Sequence, residues 1–192
     1  MCFSCNSDDD LNDEVLNEEQ EIDLTAFLED EIPQFTGLLN NEVLSMKFGP
    51  SAYQIASSFS SNPDDDSQRL LQSALIENSG DNYFKLITPF FDVDSQEEFN
   101  GVFGLGNKDI GYYYDDFFFD FQIDGERYQT CGPQDGGELE VLQVQEITDA
   151  GNMTFLFVWF KLSNLNLVDY CTLNNDYVLE EGLILARFYG YN

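Results

Sequence analysis

The sequence predicts an all-β fold, a single antiparallel β-sandwich or barrel-like domain with an acidic N-terminal tether. From Pro33 onward, short strand-like runs alternate with turn residues at regular intervals, a pattern typical of antiparallel sandwiches and barrels. Residues 1–31 differ, because they hold 12 acidic residues and no basic one. A segment of that charge repels itself and stays extended. We therefore assign residues 6–32 to an acidic spacer and residues 33–192 to the domain.

A short helix is predicted within the spacer, at residues 24–31. Leu24, Phe27 and Leu28 follow Asp23 at helical spacing, and a carboxylate is a good cap for a helix N-terminus. Pro33 disfavours helical backbone in the residue before it, so the helix should end before Pro33.

Eleven strands are predicted in the domain. Each is a run bounded by turn residues: Gln34–Leu39, Val43–Phe48, Ala52–Phe59, Leu70–Glu77, Tyr83–Pro89, Gly101–Leu105, Phe117–Ile123, Glu126–Thr130, Glu138–Ile147, Asn152–Lys161 and Leu183–Tyr189. Asp124-Gly125 is the strongest signal for a two-residue hairpin turn, because these residue types tolerate positive φ. Residues Ser67–Asn78 also fit a helical template, but we interpret them as strand because both neighbours are predicted strands.

The segment around Cys5 resembles the lipobox of a bacterial lipoprotein. Ser4 precedes the cysteine, and the polar, acidic run Ser7-Asp8-Asp9-Asp10 follows closely. The resemblance implies that residues 1–5 are the remnant of a signal, that Cys5 carries acyl chains, and that these hold the protein to the membrane. The acidic run is similar to the export signal that sends Bacteroidetes-type lipoproteins to the outer face of the outer membrane. The alternative, a Cys2–Cys5 redox or metal pair, lacks the partner pair or histidine that such a site needs.

The domain resembles a family of small uncharacterised Bacteroidetes-type surface lipoproteins with an all-β domain. The residues that carry the resemblance form an opening strand, a glycine-containing element, a hairpin and the strand after it: Phe35–Asn41, Gly101–Leu105, Tyr128–Thr130, Glu138–Asp149 and Asn152–Phe157. The resemblance spans residues 34–189. It implies the fold and the location, and it carries over no catalytic residues.

Composition excludes several classes of function. The net charge of −30 repels the phosphates of nucleic acids, so we expect no nucleic-acid partner. The chain has no histidine and no glycine-rich phosphate loop, so we expect a non-enzymatic protein with no catalytic residues and no cofactor. Two acidic clusters, Asp64–Asp66 and Asp92–Glu98, contain potential calcium ligands, but the second lacks the glycine and the final acid of a calcium loop. We interpret both as solvated turns and expect no metal site.

Two cysteines of the domain predict a disulfide. Cys131 and Cys171 each stand far from any other cysteine in the sequence. In an oxidising cell envelope an isolated pair of this kind is more typical of a structural bridge than of a thiolate site.

Two aromatic runs are the candidate binding surfaces. Tyr112–Tyr114 lies close to Asp115, Asp116 and Asp120, a mixture of rings and acids that sugars favour, although core packing produces similar runs. Phe155–Phe160 is apolar on both faces, so one face needs extra cover. That cover is the segment Leu24–Leu28, a loop at Leu165–Val168, or another protein. From the two runs we select five candidate binding residues: Tyr112, Tyr113, Tyr114, Phe157 and Trp159.

These observations predict a surface-exposed, lipid-anchored outer-membrane protein that acts as a binding or accessory module. Its expected partner is an outer-membrane protein complex or a glycan. Two alternatives stay open. Glycoside hydrolysis needs only two carboxylates, so a carboxylate-dependent glycan-processing enzyme fits the acidic composition. An immunity-type lipoprotein that neutralises a basic toxin fits the charge equally well.

Overall fold

The computed structural model describes residues 24–134, 136–169 and 177–190, and these form the predicted all-β fold. Two helices are present in these residues, α1 (Leu24–Glu29) and α2 (Gln96–Phe103). The strands are β1 (Gln34–Leu39), β2 (Glu42–Lys47), β3 (Tyr53–Asn62), β4 (Asp65–Glu77), β5 (Tyr83–Ile87), β6 (Phe91–Asp92), β7 (Gly106–Lys108), β8 (Phe118–Ile123), β9 (Glu126–Thr130), β10 (Glu138–Thr148), β11 (Thr154–Asp169) and β12 (Tyr177–Tyr189). Neither helix is long and apolar enough to cross a membrane.

The strands form one curled antiparallel sheet. Its main path runs β2-β1-β12-β11-β9-β8-β5-β4-β3, and β10 pairs with β11 off this path. The curl brings β3 and β4 against β12. The Ser57 hydroxyl donates to the carbonyl oxygen of Arg187 at 2.7 Å, and the Arg187 backbone N–H donates to the Ser73 hydroxyl at 3.0 Å. These bonds join elements that are distant along the sheet, which gives the domain its barrel-like or sandwich-like form.

The core inside the curl is dominated by phenylalanine. Phe35 of β1 stacks on Phe84 of β5, with ring centroids 4.5 Å apart, although these strands are well separated in the sheet order. Phe119 and Phe121 of β8 are fully buried on the same face, because alternate residues of a strand point the same way. Burial of these rings removes apolar surface from water and is the main force that holds the curl together.

Two local predictions are confirmed. Asp124 and Gly125 adopt φ values of 52° and 85° and form a two-residue turn, so that Ile123 pairs with Glu126. The ambiguous segment Ser67–Asn78 is strand from its start to Glu77, as part of β4.

The strand predicted at Gly101–Leu105 is wrong, because residues 101–103 are the end of α2. The helix begins after Ser95, whose hydroxyl accepts the backbone N–H of Glu98 at 3.2 Å. Ser95-Gln96-Glu97-Glu98 has the spacing of a helix capping box. Phe99 and Phe103, one helical turn apart, are both buried, and this packing outweighs the strand propensity of the segment.

The end of the spacer is part of the folded domain. Helix α1 lies within the residues 24–31 where a short helix was predicted. Its Phe27 is buried against the outer face of β11 and β12, and Lys47 of β2 forms an ion pair with Asp30 at 2.5 Å. The folded structure therefore includes Leu24 and does not start at Pro33, the predicted boundary.

Candidate functional site

The tyrosine run borders a cleft on the outer face of the sheet, which we call the Asp120 cleft. Its volume is about 670 Å³, and its floor consists of outward-facing side chains from four adjacent strands: Gln72, Lys85, Ile87, Phe118, Asp120, Arg127 and Gln129. The register brings them together, because Lys85 and Gln129 both lie opposite Asp120. Residues paired across neighbouring strands share a face of the sheet.

A charged cluster lies at the centre of the floor. Asp120 is only 3% exposed, and its two carboxylate oxygens accept hydrogen bonds from Nε and Nη2 of Arg127 at 2.7 Å and 2.8 Å. This two-pronged geometry is among the strong forms of ion pairing in proteins. Lys85 Nζ lies 3.7 Å from the same carboxylate. Arg127 and Lys85 remain partly exposed, so the buried acid holds two cations in fixed positions on the cleft floor.

Tyr83 supports this cluster from the side. Its hydroxyl donates to Asp120 at 3.1 Å, and its ring lies 4.4 Å from Lys85 Nζ, in cation–π geometry. Burial of the phenol, together with the negative charge of Asp120, raises the pKa of Tyr83 to about 12. Tyr83 therefore stays protonated and keeps donating its hydrogen bond at neutral pH.

The wall of the cleft is the loop between β7 and β8. The backbone N–H of Tyr112 donates to the Asp116 carboxylate at 3.0 Å, and the N–H of Gly111 donates to the Phe117 carbonyl oxygen at 2.9 Å. Gly111 lies so close to the carbonyl oxygen of Gly132 that a Cβ atom would collide with it. Only glycine at position 111 allows the two loops to approach this closely.

The loop presents aromatic rings to the cleft. Tyr112 and Tyr113 line it and are 51% and 40% exposed. The Tyr113 ring packs edge-on against Phe118 of the floor, with centroids 5.1 Å apart. Burial, with a smaller contribution from Tyr114, raises the pKa of Tyr113. Both rings are therefore available to a ligand while one of them is held in position by the floor.

Tyr114 is not among the residues that line the cleft; it is 45% exposed and has a strained backbone conformation. Its φ is 82°, in the left-handed region that costs a non-glycine residue about 1–2 kcal/mol. The Tyr114 ring stacks on Phe90 at 4.9 Å and contacts Tyr113 with centroids 4.0 Å apart. Strain of this kind persists where packing over-determines it, and such positions cluster at binding sites.

Two polar side chains of the floor are free for a ligand. Among residues 24–134, 136–169 and 177–190, no hydrogen bond is made by the side-chain amides of Gln72 and Gln129. Each amide offers two N–H donors and one carbonyl acceptor. The cleft therefore combines aromatic rings, two cations and two unused amides.

The structure does not bring the five predicted binding residues together. Tyr112 and Tyr113 line the Asp120 cleft, and Tyr114 packs against Tyr113. The prediction of a binding surface at Trp159 is wrong, because Trp159 is 1% exposed beneath α1. Phe157 is half-buried and packs against the same apolar cluster.

The apolar face of Phe155–Phe160 is covered by the protein itself. Among the three sources of cover that the sequence left open, the structure identifies the segment of α1, through Phe27 and Leu28. Leu165–Val168, expected as a loop, is part of strand β11 and does not provide the cover.

The cysteine predictions fall mostly outside the described residues. Cys5 and Cys171 both lie there, so lipidation and the disulfide stay predictions. Cys131 is exposed, borders the Asp120 cleft, and forms no disulfide with any residue that the structure describes.

The predicted acidic residues have separate roles. Asp116 holds the backbone of Tyr112, whereas Asp120 is the only carboxylate among the described residues that line the cleft. In the two acidic clusters, Asp65 and Asp92 accept backbone N–H groups of Ser67 and Asp94, as residues of turns do. No group of three potential metal ligands occurs in the described part of the chain.

Sequence reasoning missed the cations and amides of the floor. The signal for Arg127 was present, because a two-residue turn at Asp124-Gly125 places residue 122 opposite 127 and residue 120 opposite 129. Arg127 is then diagonal to Asp120 on the same face, within reach of a long side chain. Lys85 and Gln72 carry no such local signal, because their strands reach the site through long-range pairing.

No protein-family model matches the sequence, and no match is found among curated proteins or solved structures.

Proposed function

We propose that this protein is a lipid-anchored outer-membrane surface protein whose domain binds a glycan, without chemical conversion, in the Asp120 cleft. The observation that carries the proposal is the pair of exposed rings, Tyr112 and Tyr113, above a floor with two fixed cations and two unused amides. By binding a glycan, the protein would act as an accessory module that retains the glycan at the cell surface.

The shape and chemistry of the cleft support a sugar ligand. A volume of about 670 Å³ lies within the range of about 300–1,000 Å³ that is usual for small-ligand sites. A sugar presents apolar C–H faces, which pack on aromatic rings, and hydroxyl groups, which pair with amides and guanidinium groups. Both kinds of partner converge in the cleft at Tyr112, Gln129 and Arg127.

Binding is favoured over hydrolysis by the state of Asp120. Glycoside hydrolysis uses two carboxylates that face the scissile bond from opposite sides. In the described part of the cleft lining, Asp120 stands without a second carboxylate, and both of its oxygens are engaged by Arg127. A carboxylate held in this way positions cations and is poorly suited to attack a sugar or to transfer a proton to it.

A glycan rather than a protein partner is favoured by the position of α1. The apolar face of Phe155–Phe160, which had suggested a protein-binding patch, already packs against Phe27. In the tyrosine run, the exposed rings of Tyr112 and Tyr113 border a concave site and not a flat apolar patch.

The proposal is tested by binding of the full chain to an array of bacterial and host glycans, followed by calorimetry with each glycan retained. We expect at least one glycan to bind with a one-to-one stoichiometry. Tyr112→Ala should weaken binding by about tenfold, as loss of one aromatic contact does. Phe48→Ala is the matched control, because Phe48 is an exposed ring, 42% against 51% for Tyr112, that does not line the cleft.

Three outcomes would contradict this function. If no glycan binds the full chain, or if Tyr112→Ala binds as well as the parent chain, the cleft is not a sugar site. If chromatography of the incubated glycan reveals shortened products that disappear in Asp120→Asn, the glycan-processing alternative replaces the binding proposal.

The membrane anchor is tested separately. Expressed from the full reading frame in a bacterial host that processes lipoproteins, the protein should partition with the outer membrane and be accessible on intact cells. Cys5→Ala should release it or leave an uncleaved precursor. A mature N-terminus other than an acylated Cys5, measured by mass spectrometry, would refute the anchor.

A further inference from the structure

A second cleft differs from the first because its lining is mostly apolar. It has a volume of about 330 Å³, and its lining is apolar apart from one cation, Arg69, so we call it the Arg69 cleft. Its apolar lining includes Phe59 and Met153, which are about half exposed, and Leu71, Phe91 and Phe99, which belong to the main core. The cleft therefore leads from the surface to the core at the end of strand β4.

Arg69 occupies an unusual position for a charged residue. It lies two residues before Leu71 on β4 and so shares the face of that strand that packs into the core. Its guanidinium carbon lies 5.0 Å from the centroid of the Phe59 ring, in cation–π geometry. The ring stabilises the cation on one side and leaves the other side to the cleft.

The charge of Arg69 has no protein counter-ion in the described part of the chain. The ion pairs found there involve Lys47, Lys85 and Arg127, although the chain holds 37 acidic residues. Arg69 Nε is buried and makes no hydrogen bond. An atom buried in this way is out of reach of a ligand in the cleft, so a ligand would have to pair with the terminal Nη groups of the guanidinium. A guanidinium that lines an apolar cleft and has no carboxylate partner among the described residues suits a ligand that brings its own negative charge.

We propose that the Arg69 cleft binds a small apolar carboxylate of the fatty-acid class. The carboxylate pairs with the Arg69 guanidinium, and the alkyl chain packs between Phe59, Met153 and the core rings. At about 30 Å³ for each water-sized group, the cleft holds roughly eleven non-hydrogen atoms. Octanoate, with ten non-hydrogen atoms, has a matching size. This site is separate from the Asp120 cleft, because the two share no lining residue.

The test is calorimetric titration of the full chain with octanoate and with 1-octanol, which has the same chain and no charge. We expect one octanoate per protein and at least about tenfold weaker binding of 1-octanol, as loss of a charged hydrogen bond predicts. Arg69→Gln should reduce octanoate binding to the level of 1-octanol and leave 1-octanol binding unchanged. Met153→Asp should weaken both ligands, because it places a negative charge in the apolar lining.

Arg127→Gln in the other cleft is the matched control, and it should bind octanoate like the parent chain. Equal affinities for octanoate and 1-octanol in the parent chain would overturn the proposal, as would unchanged octanoate binding in Arg69→Gln. Because Arg69 forms no ion pair with a described residue and loses only its contact with the Phe59 ring, Arg69→Gln should remain folded at the temperature of the titration. If Arg69→Gln unfolds, its loss of octanoate binding cannot be interpreted, and Arg69→Lys is used in its place. Arg69→Lys keeps the positive charge, so it should still bind octanoate more tightly than 1-octanol.

Discussion

The indole N–H of Trp159 donates to the backbone carbonyl oxygen of Phe27 at 3.2 Å, across 132 positions of the sequence. The same N–H also lies 3.2 Å from the carbonyl oxygen of Asp30. The Phe27 carbonyl oxygen also accepts the backbone N–H of Asp30 at 3.2 Å, so the indole N–H is a second donor at the C-terminal end of the helix. The end of the acidic spacer is thus fixed to strand β11 by both a polar contact and an apolar one.

We expect Phe27→Ala to lower the free energy of unfolding by about 3 kcal/mol, the lower end of the range for a buried phenylalanine, because Phe27 lies in an outer layer. Urea denaturation measures this loss. Trp159 is the only tryptophan, so its emission should shift to longer wavelength and acrylamide should quench it more strongly. Leu24→Ala, at a position 39% exposed on the same helix, should change neither quantity. Unchanged emission in Phe27→Ala would mean that α1 does not cover the tryptophan in solution.

The buried ion pair of the Asp120 cleft should contribute more stability than the surface pair between Lys47 and Asp30. Arg127→Met leaves a buried carboxylate without its main partner, so we expect a loss of about 2 kcal/mol. This is less than the 3–5 kcal/mol of a fully buried pair, because Arg127 is partly exposed and Lys85 remains. Lys47→Met, the control, should cost no more than about 1 kcal/mol. If chemical denaturation shows an equally small loss of unfolding free energy for Arg127→Met and Lys47→Met, the structural role of Asp120 is ruled out.

Sequence patterns predict the turns and helix ends of this protein that depend only on neighbouring residues. The turn at Asp124-Gly125 is encoded in two residues that accept positive φ, and it sets the register that makes Asp120 diagonal to Arg127. The start of α2 at Ser95 was equally local, but its capping pattern was overlooked in favour of the strand propensity of the following residues.

Long-range features of the site were beyond the reach of sequence patterns. The aromatic run at Tyr112–Tyr114 has the same composition whether it is core or surface, and its exposure depends on tertiary contacts such as the approach of Gly111 to Gly132. Trp159 was misassigned for a related reason, since the segment that covers it is more than a hundred residues away.

The stability of the domain should depend on Tyr83 at high pH. Burial and the charge of Asp120 raise the pKa of Tyr83 from 10.0 to about 12, so the folded protein retains this proton where the unfolded chain loses it. Stability from this group is therefore complete below pH 10 and falls as the pH rises from 10 to 12. Denaturation of the parent and of Tyr83→Phe across this range isolates the effect, because other groups titrate equally in both. If the free energy of unfolding of the parent declines with pH no more steeply than that of Tyr83→Phe, the raised pKa of Tyr83 is contradicted.

The predicted bridge between Cys131 and Cys171 can be tested by thiol labelling. In material taken directly from the envelope and denatured without reductant, neither cysteine should react with maleimide. Cys131→Ser should then make Cys171 reactive and lower the stability by up to about 4 kcal/mol, since the bridge closes a long loop. Two labelled thiols in the parent protein would refute the bridge and leave Cys131 as a free thiol at the edge of the cleft.

The strained backbone of Tyr114 predicts an unusual order of stability for two variants. Tyr114→Ala and Tyr114→Gly both lose the ring that stacks on Phe90, but only glycine relieves the cost of a φ of 82°. Tyr114→Gly should therefore be more stable than Tyr114→Ala by about 1 kcal/mol in urea denaturation, the reverse of the order at most positions. Both variants should weaken glycan binding, because Tyr113 loses its neighbour at 4.0 Å. If alanine is as stable as glycine, the backbone at Tyr114 is not strained in solution, and the wall of the Asp120 cleft owes its shape to the Gly111–Gly132 contact alone.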